Sequence, residues 1–128
     1  MTFLWVWGPA LIWMAVTFYI SHQSVVSIPL GAPDYVAHGV SYAGLGALIV
    51  RALAGGRLSA MSWRLVLAAT LIGGLYGVSD EFHQSFIPGR DSSLSDIVAD
   101  TVGALVGASV AAVAGAWLRR HRNGAMGQ

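Results

Sequence analysis

The sequence predicts an all-α membrane protein, a single domain over residues 1–128 built as a four-transmembrane-helix bundle with both termini cytoplasmic, and three observations predict it. The first is composition: 55% of the 128 residues are hydrophobic, 10% are charged, and mean hydropathy is +0.64. So little polar surface does not cover a soluble domain of this size. The second is segmentation into apolar runs near the roughly 20 residues that a spanning helix needs. The third is charge sorting. All six acidic residues fall between Asp34 and Asp100, inside or beside the apolar segments, whereas six of the seven arginines stand at the opposite ends of those segments.

The first span is expected over about Phe3 to Ile20, within an opening stretch of 33 residues that contains no Asp, Glu, Lys or Arg. Trp5, Trp7, Trp13 and Tyr19 make it aromatic near its ends, as interfacial belts require. No basic stretch precedes this run, no small-x-small site follows it, and Pro33 obstructs cutting after Ala32, so a retained span is expected rather than a cleaved signal peptide. The second span is expected over Tyr35 to Leu53 and the third over Met61 to Ser79. The uninterrupted part of the third, Leu65 to Ser79, rises only about 22 Å, so Arg64 should lie one turn inside the helix and reach back to the headgroups. The fourth is expected over Ile97 to Leu118. The connections are then Ser21 to Asp34, Ala54 to Ala60, and a long Asp80 to Asp96.

Helix packing has its own signature, because Gly103, Gly107, Ala111 and Gly115 recur every four residues and Gly73, Gly74 and Gly77 give the third span a similar small face. Small residues let helices approach closely in lipid. Intramolecular packing is the expected use, in preference to a dimer interface or a substrate groove.

Orientation follows from the arginines. Arg51, Arg57 and Arg64 bracket the second connection and Arg119, Arg120 and Arg122 follow the fourth span, which puts both on the cytoplasmic side and the acids on the outer face, in a bacterium the periplasmic or extracellular side of the plasma membrane. Acidic residues contribute little to topology, so their segregation calls for another cause. The absence of cysteine excludes disulfides and thiolate metal sites, and a net charge of +1 without any lysine excludes nucleic acid as a partner.

Three short segments carry the chemistry. In the first, Asp34, His38 and Tyr42 are spaced by four and share one helical face that descends about 12 Å into the membrane. Asp34 is read as either a helix cap or a functional carboxylate, and His38 as either a hydrogen-bonded interior residue or a proton-handling group. In the second, adjacent Asp80 and Glu81 repel each other unless one is protonated, paired with Arg90, or bound to a cation. Gln84 and His83 follow, and Pro88-Gly89 forces a turn that can swing Arg90 back over the bundle as a two-point clamp for carboxylate or phosphate. In the third, Ser93 and Asp96 resemble a capping box at the start of the fourth helix. Asp100 lies one turn deeper, about 6 Å further in, and should face His38, Arg90 or water.

The order Asp34-x-x-x-His38-x-x-x-Tyr42, Asp80-Glu81-x-x-Gln84-x-Phe86-x-Pro88-Gly89-Arg90 and Ser95-Asp96-x-x-x-Asp100-x-x-Gly103 resembles the VanZ-like family of small bacterial membrane proteins. The resemblance covers roughly Pro33 to Gly107, with departures at Tyr35, where that family carries Lys, and at Asp100, where it carries Asn. It implies a plasma-membrane protein linked, through the founding member, to resistance to the lipoglycopeptide teicoplanin.

Three functional classes follow. The first is a binding module in which Asp34, His38, Tyr42, Asp80, Glu81, Gln84, Arg90, Asp96 and Asp100 recognise a membrane lipid, a lipid-linked envelope precursor or a lipoglycopeptide antibiotic. The alternative is an enzyme acting on such a precursor, with His38, Asp80, Glu81 and Asp96 as candidate acid/base groups. A proton or ion pathway fits least, because between His38 and Arg51 the second span offers only Ser41 and Tyr42. No cofactor motif is evident. The carboxylates suit a hard divalent cation, held by Asp80, Glu81, Asp96 or Asp100, although their spacing matches no calcium or zinc signature.

Overall fold

A computed structural model describes residues 2–24 and 33–125, and these form four long helices. α1 spans Phe3–Ser21, α2 Asp34–Leu53, α3 Trp63–Gln84 and α4 Leu94–Ala125, with a 3₁₀ turn at Leu58–Ala60. All four are long and apolar enough to cross a membrane. The chain is therefore an all-helical protein of the multi-pass type that its composition predicts.

Two boundaries differ from expectation by more than one turn. α3 continues past Ser79 to Gln84, and α4 runs from Leu94 well beyond Leu118. The long connection accordingly shrinks to residues 85–93, and Asp80 and Glu81 are buried side chains of a helix instead of loop charges. Their carboxylates sit within a hydrogen-bonded polar interior, which removes the reason for the helix to stop where the charges begin.

The ends of the elements are set by local chemistry. α2 terminates at Ala54, where the Gly56 N–H donates to the Arg51 carbonyl and the Gly55 N–H to the Ala52 carbonyl, each at 2.9 Å. This is a Schellman arrangement, and it requires the left-handed backbone that Gly55 adopts at φ 64°. Before α4, Pro88-Gly89 makes the expected turn. The Arg90 N–H donates to the Ile87 carbonyl at 3.1 Å and Gly89 takes φ 82°, a conformation suited to glycine.

α2, α3 and α4 form the core. The buried positions include His38, Tyr42, Leu45, Ile49 and Ala52 along α2 and Val66, Ala69, Gly73, Gly77, Asp80 and Gln84 along α3, which recur every three or four residues, with Gly46, Val50, Gly74 and Glu81 buried beside them. The glycine stripes serve contacts within the chain, as expected. A Cβ at Gly103 would strike the Gly39 carbonyl, one at Gly107 the Ala43 carbonyl, one at Gly46 the Ala104 backbone, and one at Gly73 the Ala104 side chain. The outward faces are apolar instead of polar: Leu67, Leu71, Leu75 and Phe82 on α3 and Val98, Val102, Val106 and Val110 on α4 are all exposed. Such stripes suit helices that face lipid.

α1 is the most peripheral helix, with Ala10 and Ser21 its only buried residues. It is docked by directed bonds: the Trp13 indole N–H donates to the Ser41 carbonyl at 3.0 Å, and the Tyr76 hydroxyl to the Met14 carbonyl at 2.7 Å. Trp13 thus leaves the expected aromatic belt, because its ring packs on Gly44 of α2. At the arginine-rich end, Arg51 Nη1 donates to the Val6 carbonyl at 3.2 Å and Arg119 Nη1 to the Ser59 carbonyl at 2.9 Å. The start of α1, the α2–α3 connection and the distal part of α4 therefore share one end of the bundle.

Candidate functional site

The polar cluster occupies the other end, where the start of α2, the end of α3 and the start of α4 meet. His38 and Tyr42 from α2, Asp80, Glu81 and Gln84 from α3, and Asp96 and Asp100 from α4 are all buried. These residues are far apart in sequence but lie on the inward faces of their helices, so close packing brings them together. Asp100 lies against Gly77, whose missing Cβ makes room for the carboxylate.

His38 is the hub. Its Nδ1 lies 3.0 Å from Asp100 Oδ1 and 3.9 Å from Glu81 Oε1. The expectation that Asp100 faces His38 is met. Glu81 also receives the Ser93 N–H on Oε2 at 2.8 Å. This bond revises the capping box. The Ser93 hydroxyl accepts the Ser95 N–H, as a helix cap should, but the carboxylate on the Ser93 N–H comes from Glu81 on α3 instead of from Asp96. Asp96 is left free to turn toward His38, in a group with Asp34.

Asp80 is held differently. Its Oδ2 accepts the Ser21 hydroxyl at 2.7 Å and the Gln84 amide at 3.1 Å. The other end of that amide, Gln84 Oε1, accepts both Nε and Nη2 of Arg90, at 3.1 and 2.6 Å. Arg90 also approaches Asp34 Oδ2 at 3.8 Å. The turn does swing Arg90 back over the bundle, but its fork grips the Gln84 carbonyl oxygen, so pairing with Asp80 or Glu81 is not how those acids are relieved. The side chain of Asp34 is half-exposed at the mouth, and Asp34 is the first residue of α2, with Pro33 in the cap position.

Beneath Arg90 lies a cavity of about 200 Å³ between α1 and α2. Its wall includes Thr17, Ile20 and Ser21 of α1, Ala37, His38, Ser41 and Tyr42 of α2, and Asp80. Asp34 and Arg90 stand over it, and a wider bowl opens outward through Asp34, Arg90, Ser93 and Asp96. Among the described residues, the buried oxygens Tyr42 Oη, Asp80 Oδ1, Glu81 Oε1 and Asp100 Oδ2 have no hydrogen-bond partner.

Two groups have the geometry of candidate metal ligands among the described residues. His38, Glu81 and Asp100 each offer an atom within 4.8 Å of the others, as do Asp34, His38 and Asp96. His83 does not join the cluster. It pairs with His22 at 3.1 Å and stacks on Phe18, both on the α1 side. Ser21 and Thr17 are the residues that sequence reasoning missed. Their signal was present, since two hydroxyls four residues apart mark one polar face on an otherwise apolar helix.

No curated protein and no solved structure matches the chain. The family model of VanZ/LLP1 matches residues 6–115, which takes in most of α1, all of α2 and α3, and the part of α4 that carries Asp96 and Asp100. That extent covers most of the chain, and this multi-pass membrane protein belongs to the VanZ/LLP1 family.

Proposed function

We propose that the polar cluster is an outward-facing site in a bacterial plasma membrane that binds the headgroup of a lipid-linked cell-envelope molecule or a lipoglycopeptide antibiotic. One observation carries this reading. The cavity between α1 and α2 joins apolar walls to unpartnered buried polar atoms, Tyr42 Oη and Asp80 Oδ1, under an arginine. Ligand sites combine a mostly apolar lining with a few convergent polar groups. At about 200 Å³ the cavity suits a headgroup and not a whole drug-sized molecule. An attached hydrocarbon chain would lie along the exposed apolar residues of α1. Orientation is supported by the six arginines other than Arg90, which occupy the end opposite the cluster.

The test uses full-length protein in lipid nanodiscs, titrated separately with a polyprenyl-pyrophosphate-linked precursor and with a fluorescent lipoglycopeptide. Saturable binding of one of them is expected. Arg90→Lys should weaken it about tenfold or more, because a charge-assisted hydrogen bond contributes about 1.5 to 3 kcal/mol and Lys cannot reproduce the planar fork. Absence of saturable binding to both probes would reject the reading.

The buried His38 to Asp100 bond favours a second reading, an envelope-precursor enzyme in which these groups move protons. Glu81→Gln separates the two. Retained binding with loss of precursor turnover by the purified protein makes it an enzyme, whereas parallel loss of binding and envelope-related function makes it a binding module.

A further inference from the structure

Asp80 and Glu81 sit on successive residues inside the bundle, with Asp100 and Asp96 packed nearby and Arg90 engaged by Gln84. Like charges this close are relieved by an opposite charge or by protonation. The Arg90 guanidinium is held by Gln84 and does not relieve the inner acids, and Glu81 and Asp100 converge on His38 instead. We propose that His38, Glu81 and Asp100 form a binding site for a divalent cation of the zinc or manganese class.

Ligand chemistry selects that class. One imidazole with two carboxylates is the donor set of borderline divalent ions, whereas calcium takes six to eight oxygens and softer ions take sulfur. Spacing agrees. Metal–ligand bonds of about 2.0 to 2.2 Å place neighbouring ligand atoms roughly 3 to 3.5 Å apart. His38 Nδ1 and Asp100 Oδ1 stand at 3.0 Å, and Glu81 Oε1 at 3.9 Å from the same nitrogen needs only a small rotation.

Preorganisation is the independent observation. Glu81 Oε1 and Asp100 Oδ2 are buried with no hydrogen-bond partner, although both residues are at least nine-tenths buried. Such atoms carry a desolvation cost that a bound cation would offset. Each is also held in place by its sister oxygen. Glu81 Oε2 is fixed by the Ser93 N–H at 2.8 Å, which leaves Oε1 directed at His38, and the His38 Nδ1–Asp100 Oδ1 hydrogen bond holds those two donors face to face, its proton being released when a cation takes its place. Outside this triad, Asp34 and Asp96 approach His38 and provide a negatively charged entrance from the bowl. A cation here deepens the proposed binding function and rests on it for its purpose, since it would turn a carboxylate-rich cluster into one that accepts an anionic headgroup. Metal uptake itself is measured without that ligand.

Full-length protein in nanodiscs, stripped with a chelator, is titrated with Zn²⁺ and with Mn²⁺ in competition with a chromophoric chelator. Saturable, stoichiometric binding of at least one ion is expected. Asp100→Asn and Glu81→Gln should each weaken it by more than the ten- to hundredfold typical of losing an outer partner, and Arg57→Gln at the opposite end of the bundle should leave it unchanged. Helical circular dichroism checks each variant. Should Asp100→Asn fail to fold, His38→Gln carries the same comparison. No stoichiometric uptake by the wild type, undiminished affinity in the triad variants, or loss of binding in His22→Ala or His83→Ala instead, overturns the site. Headgroup binding by protein that takes up no metal rejects the metal site alone, and metal uptake without headgroup binding upholds it while rejecting the proposed ligand.

Discussion

Tyr42 and Asp80 show how single residues divide between stability and use. The Tyr42 ring is fully buried against Tyr76 and His38, yet its hydroxyl has no partner. A buried hydroxyl without a hydrogen bond costs about 1 to 3 kcal/mol, so Tyr42→Phe should leave the melting temperature unchanged or raise it. If the hydroxyl serves a ligand in the cavity, the same variant should lose headgroup affinity by several-fold. A thermal melt and a binding titration on one preparation check both halves. Ser21 behaves oppositely. Its hydroxyl is a donor to the buried Asp80 carboxylate at 2.7 Å, so Ser21→Ala should destabilise the protein by about 1 to 3 kcal/mol, read as a lower melting temperature. The acids and His38 were legible in the sequence because ionisable residues inside membrane segments are rare and costly. For Ser21 the spacing from Thr17 marked a polar face, but not its use, because the partner carboxylate is 59 residues away.

At the level of elements, backbone proximity decides which glycines matter. Gly107 faces the Ala43 carbonyl with no room for a Cβ, whereas Gly8 on α1 has nothing within 4 Å. Gly107→Ala should therefore push α4 away from α2 and destabilise by about 1 to 3 kcal/mol, the usual range for overpacking. Gly8→Ala should be neutral or stabilise by up to about 1 kcal/mol through helix propensity. Paired thermal melts in one detergent test this contrast, and equal effects would reject the α2–α4 packing. The four-residue spacing of small residues was visible in the sequence; which helix they met was not. The same limit applies to α3, whose predicted end at Ser79 fell short of Gln84. A helix with two acids looks as though it has surfaced, and only the interior partners Ser21, Gln84 and Ser93 allow it to continue buried.

Across the whole molecule, polarity is separated end to end. Arg51 and Arg119 bind carbonyls at one end, and the acids meet His38 and Arg90 at the other. The proposed orientation, with Arg51, Arg57, Arg64 and Arg119 cytoplasmic, predicts that single cysteines at Gly56 and Ser92 should differ in intact cells. An impermeant thiol reagent should label Ser92→Cys and spare Gly56→Cys, and equal labelling would reject the orientation.

Composition and patterning alone determined four apolar spans, the sorting of arginines from acids, the small-residue packing faces and the identity of the charged candidates. Each of these depends on local residue chemistry against a hydrocarbon solvent, which a linear sequence records directly. Tertiary structure alone decided who meets whom: Arg90 grips Gln84, Glu81 takes the Ser93 N–H that Asp96 was expected to hold, His38 joins Asp100 and Glu81, and His83 turns away to His22. Those pairings depend on the rotation and depth at which the helices pack. A shift of one residue turns a helical side chain by about 100°, so the partners become defined only when close glycine contacts lock α2, α3 and α4 together.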